Sequence, residues 1–593
     1  MATCQRLHFD PVTDPEGVRP ARTDLPDLAI RPYERRDARI RDWDPRTTEV
    51  AATIAAMVRR RRPDLVVEHI GSTAVPGLPG KGIVDLSVEV EPGQIPAVVE
   101  LLYGFGFGPQ PGPDPWPSTR PMLVGAVDLG GDEFRIHLHV QPVGGDMPRD
   151  LAFRDALRKD PGLLRQYADL KTRITRGEGI DALRYTHSKT SWILGVYKAL
   201  GFRVPAIMPP ATIGILGGGH LGRMTALAAR GLGYRVAVLD PDPACPAAAV
   251  ADRVEVGRHD DIEAARRLAA GCAVITTALE DVSLELVREL DDDRAVFRPG
   301  PYALKLTHDR LAERRFLEAN GATVAPWRVV SNGDELRAGI AELGASLRLT
   351  ASLGGHDGRG EVQIDDPQDA GDIAAAEILL AAESAAGRPM LLERELAAEA
   401  ELVAIVARGV DGLVRGYPVA RAVRRRGTLV GASAPAGIAP ATEAAAIALV
   451  TGLATGMGLV GLLAAELLLM PDGTLFVDEL SPRAHDGGLW TTDAATTSQF
   501  EQHVRAICGL PLGSTDLRGA AATACLLGTG PDREARAAGI EAVLEATDVH
   551  LHLYDERRVG QGRMMGHVTV VARTREAALE AARAAAARIR WDG

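Results

Sequence analysis

Hydrophobic and polar positions alternate over residues 65–68, 83–90 and 134–140, the period-two pattern of half-buried strands. Between them, and in a long run from about Asp150, apolar residues recur at helical spacing, so the first third of the chain reads as mixed α/β. The proline-rich segment at 205–210 interrupts this pattern, and TIGILGGGHLGRMTALAARGLGYRVAVLD follows it as strand, glycine turn, helix, strand, the unit of a parallel doubly wound sheet. That α/β pattern runs to about Arg298. Strands and helices then alternate to about Gly513, and short strands at 522–527, 549–554 and 567–572 lead to an alanine-rich final helix. No internal repeat is present. The expected fold class is therefore a multidomain α/β and α+β protein, divided at 1–203, a linker at 204–211, 212–298, 299–515 and 516–593.

A length of 593 residues agrees with that division, since single cores stop growing well before this size. No apolar run reaches the roughly 20 residues that span a bilayer. The opening MATCQRLHFD lacks the basic-then-apolar order of a signal peptide, so the expected location is the cytoplasm. A net charge of -12 argues against nucleic-acid binding. Five cysteines lack CxxC spacing and suggest neither a zinc site nor a disulfide framework. Of 67 basic residues 61 are arginine, and no lysine follows Lys305. A phosphate bound in the second half must therefore be met by arginine, which is always charged and binds oxyanions through two parallel donors.

In the first third, EHIGSTAVPGLPGKGIVDLSVEV turns out of a strand at Gly71 and Ser72, presenting backbone N–H groups and a hydroxyl to an anion, with Asp85 on the next strand able to hold a divalent metal. His137 and His139 share one face of the strand FRIHLHV. These stretches, with FRDALRKDPGLLRQYADLK and YTHSKTSWI, resemble the GrpB family, which implies a nucleotidyltransferase-like fold over about residues 28–200. A nucleotidyltransferase uses two or three carboxylates around its metals, and here Glu89 is the second candidate beside Asp85. The competing reading is that Gly71, Ser72 and Asp85 maintain the turn while the histidines pack or bind a ligand.

Gly217, Gly219 and Gly222 satisfy GxGxxG after a strand, with Asp240 ending the next strand, a pattern that by itself suggests a nicotinamide enzyme. The segments that follow speak for another class. IGILGGGHLGRMTALAARGLGYRVAVLDPDPACPAA, HDRLAERRFLEANGATVAPW, GGHDGRGEVQI, VDELSPRAHDGGLWTTDAATTSQFEQHVRAICGLPLG and HLYDERRVGQGRMMGHVTV resemble, in order, the 5-(carboxyamino)imidazole ribonucleotide synthase family of purine biosynthesis. The resemblance implies a Rossmann-like pre-ATP-grasp domain, an ATP-grasp domain and a small β-rich C-terminal domain. It also implies ATP and Mg2+ as cofactors, bicarbonate or another carboxylate and an amine such as aminoimidazole ribonucleotide as substrates, and a homodimer.

Carried over by position, the resemblance puts Glu466 and Glu479 on the metal and gives Arg483 and Asp478 the catalytic roles, with Asp478 and Glu479 also meeting ATP. It assigns nucleotide contacts to Arg310, Arg314, Gly355, His356, Asp357, Gly358, Arg359, Gly360, Glu361, Glu393, Arg394, Glu395, Leu396, Glu401 and Arg421, and substrate contacts to Gly219, His220, Leu221, His485 and Arg563. The chain departs from the family at several places. Thr350 and Arg314 stand where the family has lysines, Asp478 where it has asparagine, His220 where it has glutamine, Leu489 where it has histidine, and Glu556 and Met564 where it has lysines. The resemblance places those last two lysines at the ribotide phosphate. Two further readings stay open: a relative acting on another amine or carboxylate, and a non-catalytic nucleotide-binding protein.

Overall fold

Alternation of apolar and polar residues sets the first sheet. In the computed structural model, Val84, Leu86, Val88 and Val90 turn one way from the strand Val84–Val90 and, with Ile136, Leu138 and Val140 of Asp132–Pro142, form a core beneath the helix Arg46–Arg61. Asp85, His137 and His139 have the opposite parity and lie on the other face. The structure describes residues 28–592 apart from 33–39, 110–119, 144, 175–188, 190–191, 194, 203–205, 280–281, 293–295, 345, 354–359 and 426–427. Contacts divide the chain into residues 1–181 and 182–593.

The first unit holds a five-stranded sheet in the order Val66–Ile70, Val84–Val90, Asp132–Pro142, Met122–Leu129 and Gly108–Pro109. The second and third strands run parallel and the other neighbours antiparallel. The expected strands at 65–68, 83–90 and 134–140 are found at Val66–Ile70, Val84–Val90 and Asp132–Pro142. The helical run from Asp150 is two helices, Met147–Lys159 and Pro161–Ile174, the second starting on a proline that supplies no amide hydrogen to continue the first.

The second unit begins with a four-stranded parallel sheet, Arg253–Val256, Arg235–Asp240, Thr212–Leu216 and Cys272–Thr277. Gly217 ends the third of these strands with φ 92°, and a side chain at Gly222 would meet the Gly217 carbonyl oxygen at 2.1 Å, so the helix His220–Gly231 starts hard against the turn. A four-stranded antiparallel sheet follows, ordered Trp327–Val330, Met390–Arg394, Leu347–Ala351 and Glu361–Ile364.

The largest sheet has nine strands. Leu475–Ser481, Gly461–Leu469, Ala400–Arg408, Ala420–Arg425 and Thr428–Ala434 pair in that order, and Val414–Gly416 joins Ala400–Arg408. The sheet continues without a break into Ala520–Leu527, Met564–Ala572 and Val549–Leu553. The boundary read at 515/516 is thus crossed by backbone pairing.

Candidate active site

Glu466 and Glu479 lie directly opposite each other on the antiparallel strands Gly461–Leu469 and Leu475–Ser481. Like charges facing across a ladder repel, so such a pair persists where cations meet it. Here Arg310 Nη2 lies 3.0 Å from Glu479 Oε2, and the Arg424 guanidinium and His485 Nε2, the latter at 3.2 Å, contact Glu466. The register shifts beside this rung, pairing Leu467 with Val477 and leaving Asp478 as the extra residue of a bulge. Strict alternation would send Asp478 and Glu479 to opposite faces; the bulge lets both line one cleft.

That cleft, of about 990 Å3, is lined by both antiparallel sheets. Its carboxylates include Glu361, Glu395, Glu401, Glu466, Asp478, Glu479 and Asp486; its cations are Arg310, Arg348, Arg394, Arg424 and Arg483. Burial opposes the charge on Arg310, yet Glu479, Glu313 and Asp478 together hold its pKa above the ordinary value. At Glu401 burial raises the carboxyl, Arg424 opposes this, and Glu466 and Asp478 add to it. A lining in which acids are at least as numerous as bases accepts a polyphosphate best together with divalent cations, and the opposed pair Glu466 and Glu479 with Asp478 beside it is an oxygen donor set of the kind Mg2+ takes. Arg483 lines the same cleft, 8% exposed, donating from Nη1 to the Ala484 carbonyl at 3.0 Å.

The strand Leu347–Ala351 answers what stands in for the missing lysine. Leu347 and Leu349 enter the core on one face. Arg348 leaves from the other face and enters the cleft, with Nη2 3.0 Å from Asp478 Oδ1 and 3.8 Å from Glu393 Oε2. Thr350, of the same parity, is buried. Thus the arginine two residues earlier pairs with the aspartate that replaces the family's asparagine.

Not every expected contact reaches the cleft. Arg314 is 1% exposed and grips Glu393 with Nε at 2.5 Å and Nη2 at 3.2 Å, so both lie beneath the cleft wall and act through each other. Arg421 has the wrong parity: its Nε donates to the Ala436 carbonyl at 3.2 Å, while Ala422 and Arg424 of the same strand face the cleft. Arg424, which bridges Glu401 and Glu466, carries no mark of its own in the run ARAVRR, where only strand register distinguishes one arginine from another. Arg394, Glu395, Leu396, Glu401 and Glu361 do line the cleft, and Gly360 accepts a hydrogen bond from the Ala351 amide. Gly355, His356, Asp357, Gly358 and Arg359 lie outside the described residues.

At the acceptor end, His220 Nε2 lies 2.7 Å from Asp486 Oδ1, joining the first glycine turn to the cleft, and the His220 ring stacks on Tyr554. Burial would raise the Asp486 carboxyl, but His220, His485 and Arg483 hold it far below the usual range. Gly219 precedes the helix as its N-cap. Leu221 corrects an expectation: its side chain is 5% exposed and packs in the core with Trp490 and Tyr417. Leu489 is fully buried in that core as well and is not part of the cleft lining. Arg563 turns toward Asp532 at 4.0 Å, although its neighbours Gly562 and Met564 line the cleft. Glu556 is pushed up by burial, then by Asp242 and Asp240, against Arg563 and His220. Asp240 itself accepts from the Gly218 amide at 2.8 Å and the Asp242 amide at 2.9 Å, fastening the glycine turn instead of offering itself to a nicotinamide ribose.

Family profiles match this architecture in chain order: GrpB protein at 37–199, ribonucleotide synthetase preATP-grasp domain at 210–308, ATP-grasp domain at 315–500, and phosphoribosylaminoimidazole carboxylase C-terminal domain at 521–581. The N5-carboxyaminoimidazole ribonucleotide synthase of Brucella melitensis is 37% identical over 367 residues, covering 61% of this chain and 97% of the relative. The chain belongs to the N5-carboxyaminoimidazole ribonucleotide synthase family. The enzyme of that name from Bacillus subtilis is 36% identical over 61% of this chain and 92% of its own length. Among solved structures, an N5-carboxyaminoimidazole ribonucleotide synthetase in complex with ADP superposes with TM-score 0.59 at 37% identity, over 64% of this chain and 97% of that one. An Aspergillus clavatus synthase in complex with ADP and 5-aminoimidazole ribonucleotide gives TM-score 0.57 at 27% identity, over 64% of this chain and 99% of that one. Membership in this family makes the chain an ATP-grasp ligase that forms a carbon–nitrogen bond, carrying a GrpB domain ahead of the synthase. Among the described residues no helix is long and apolar enough to cross a membrane.

Proposed function

We propose that the chain carboxylates the amine of 5-aminoimidazole ribonucleotide with bicarbonate and ATP. The γ-phosphoryl group passes to a bicarbonate oxygen, giving carboxyphosphate and ADP. The amine nitrogen then attacks the carboxyl carbon, the C–N bond forms, phosphate leaves and the nitrogen loses its proton. The observation that carries this reading is the bulged pair of strands that sets Glu466, Asp478 and Glu479 together in a cleft with Arg310, Arg348 and Arg483. Such a transfer asks the protein for alignment and charge stabilisation rather than for a covalent intermediate. Arg310 and Arg348 hold the phosphates, Glu466 and Glu479 would hold Mg2+ with Asp478 beside them, and Arg483 steadies the negative charge of the acyl phosphate. Bound Mg2+ would neutralise phosphate charge and fix its orientation. Asp486, His220 and His485 form the acceptor end. The enzyme is read as a homodimer, which follows the family resemblance and is checked by light scattering.

A second reading, the same ligation on another amine, is favoured by one observation. Glu556, half-buried between Arg563 and His220 on one hand and Asp242 and Asp240 on the other, sets a carboxylate where the resemblance places a phosphate-binding lysine, and a carboxylate suits a cationic or neutral group better than a phosphate. ATP turnover measured with Mg2+ and bicarbonate, with and without the ribonucleotide, separates the two. Stimulation by the ribonucleotide, reduced at least about 100-fold in Glu479→Gln, is the expected result. Turnover stimulated only by other amines would favour the second reading, and none with any acceptor would refute both.

A further inference from the structure

Asp85, His137 and His139 gather on one face of the first unit's sheet for a reason visible in its register. The parallel ladder sets Asp85 beside His137 and Ser87 beside His139. Alternation then directs Asp85, Ser87, His137 and His139 to the face opposite the core of Leu86, Val88, Ile136 and Leu138. His137 Nδ1 lies 3.5 Å and His139 Nε2 3.7 Å from Asp85 Oδ1, and one donor atom from each of the three side chains falls within 4.8 Å of the others. The side chains are 16%, 16% and 24% exposed, enclosed yet reachable from solvent.

We propose that these three residues form a mononuclear site for a late first-row divalent metal such as Zn2+, Co2+ or Ni2+. Metal–nitrogen and metal–oxygen bonds of about 2.0–2.2 Å set ligand atoms about 3–3.5 Å apart, so the trio needs only a slight closing to bind. Two imidazoles and one carboxylate on one side leave further positions open for water or an oxyanion, and imidazole selects these metals over Mg2+, which takes oxygen. Glu68, opposite Ser87 on the neighbouring strand, is a second carboxylate on this face and is paired with Arg154 at 3.0 Å. Glu89 stands four residues from Asp85 along one strand, about 13 Å away. The position between them is Ser87.

Two further features point to a ligand. Ser87 is 0% exposed, yet its hydroxyl has no hydrogen-bond partner among the described residues, and its parity turns it toward the His139 side of the cluster. Charge pairing of the histidines with Asp85 accounts for the short distances but leaves that hydroxyl unexplained. Gly71, with φ 72°, brings its turn close against Asp85: a side chain there would lie 2.4 Å from Asp85 Oδ2, so only glycine leaves that carboxylate room.

The test uses the full chain stripped with a chelator, reloaded with Co2+ and desalted. One equivalent of Co2+ retained against millimolar Mg2+, with X-ray absorption showing two imidazole ligands, is expected. His137→Gln and His139→Gln should each weaken it by at least about 100-fold, since even an outer-shell partner costs 10–100-fold. Glu479→Gln should retain the equivalent, and so should His552→Gln, which alters the second histidine–carboxylate cluster of Asp493, His552 and His567. No retained metal, an all-oxygen ligand shell, ready exchange with Mg2+, or loss only in Glu479→Gln or His552→Gln would each overturn the proposal. Where a substitution unfolds the first unit, a two-imidazole shell that persists in both His552→Gln and Glu479→Gln, which leave that unit untouched, still decides the matter.

Discussion

At the scale of single residues, the synthase cleft has exchanged one charge arrangement for another. Arg348 enters where Thr350 has no charge, and its partner Asp478 brings the acid that makes a guanidinium useful there. Replacing Arg348 with alanine removes a charge-assisted contact to phosphate and strands Asp478. The KM for ATP is expected to rise roughly 10- to 100-fold, the equivalent of about 1.5–3 kcal/mol, with Arg348→Lys recovering part of the loss. An unchanged KM would mean that Arg348 serves only Asp478. Much of this cleft was readable in the sequence, because Glu466, Glu479, Arg483 and Arg310 sit in runs whose order alone fixes their neighbours. What was hidden was direction. Arg421 against Arg424, Leu221 as core rather than contact, and Arg314 spent on Glu393 all depend on which face a strand or helix turns inward, and arginine runs carry no signal of that.

Elements were easier to read than their junctions. The strands of the first and last domains and the glycine turn were found close to their expected places, since alternation and glycine placement are local properties. The strand Met122–Leu129 was not anticipated, being apolar almost throughout and so lacking the alternation that marks its neighbours. The bulge at Asp478 is likewise invisible locally, because it exists only in the pairing of two strands. His503 shows a junction at work. On the helix Gln499–Cys508, its Nε2 lies 2.7 Å from Thr276 Oγ1 of the parallel sheet. Burial alone lowers its pKa to about 4. A histidine kept neutral in the folded state contributes stability above the unfolded value of about 6.5, and that contribution fades as pH falls toward 4. It amounts to something on the order of 3 kcal/mol. Melting temperatures of the native protein and His503→Gln should therefore differ most above pH 6.5 and converge by pH 4; a gap independent of pH would refute the assignment.

For the whole molecule, the nine-stranded sheet binds together what the sequence divides. Ending the chain at residue 515 would remove Ala520–Leu527 and leave Thr428–Ala434 as an unpaired edge, with Ala432 and Ala434 losing core partners such as Ala521 and Tyr554. Residues 1–515 are expected to aggregate, whereas residues 1–181, with a closed core of their own, should stay soluble. Size-exclusion chromatography of both fragments checks this, and a monodisperse 1–515 would contradict it. The arginine-only cleft has a consequence of a different kind. Chemical proteomics commonly finds nucleotide sites with acyl-phosphate analogues that hand their label to a nearby primary amine. Among the described residues no lysine lines this cleft, and none follows Lys305 in the sequence, so such a reagent could occupy the site fully and leave no mark. To that chemistry a working ligase here would look like a protein that never meets ATP.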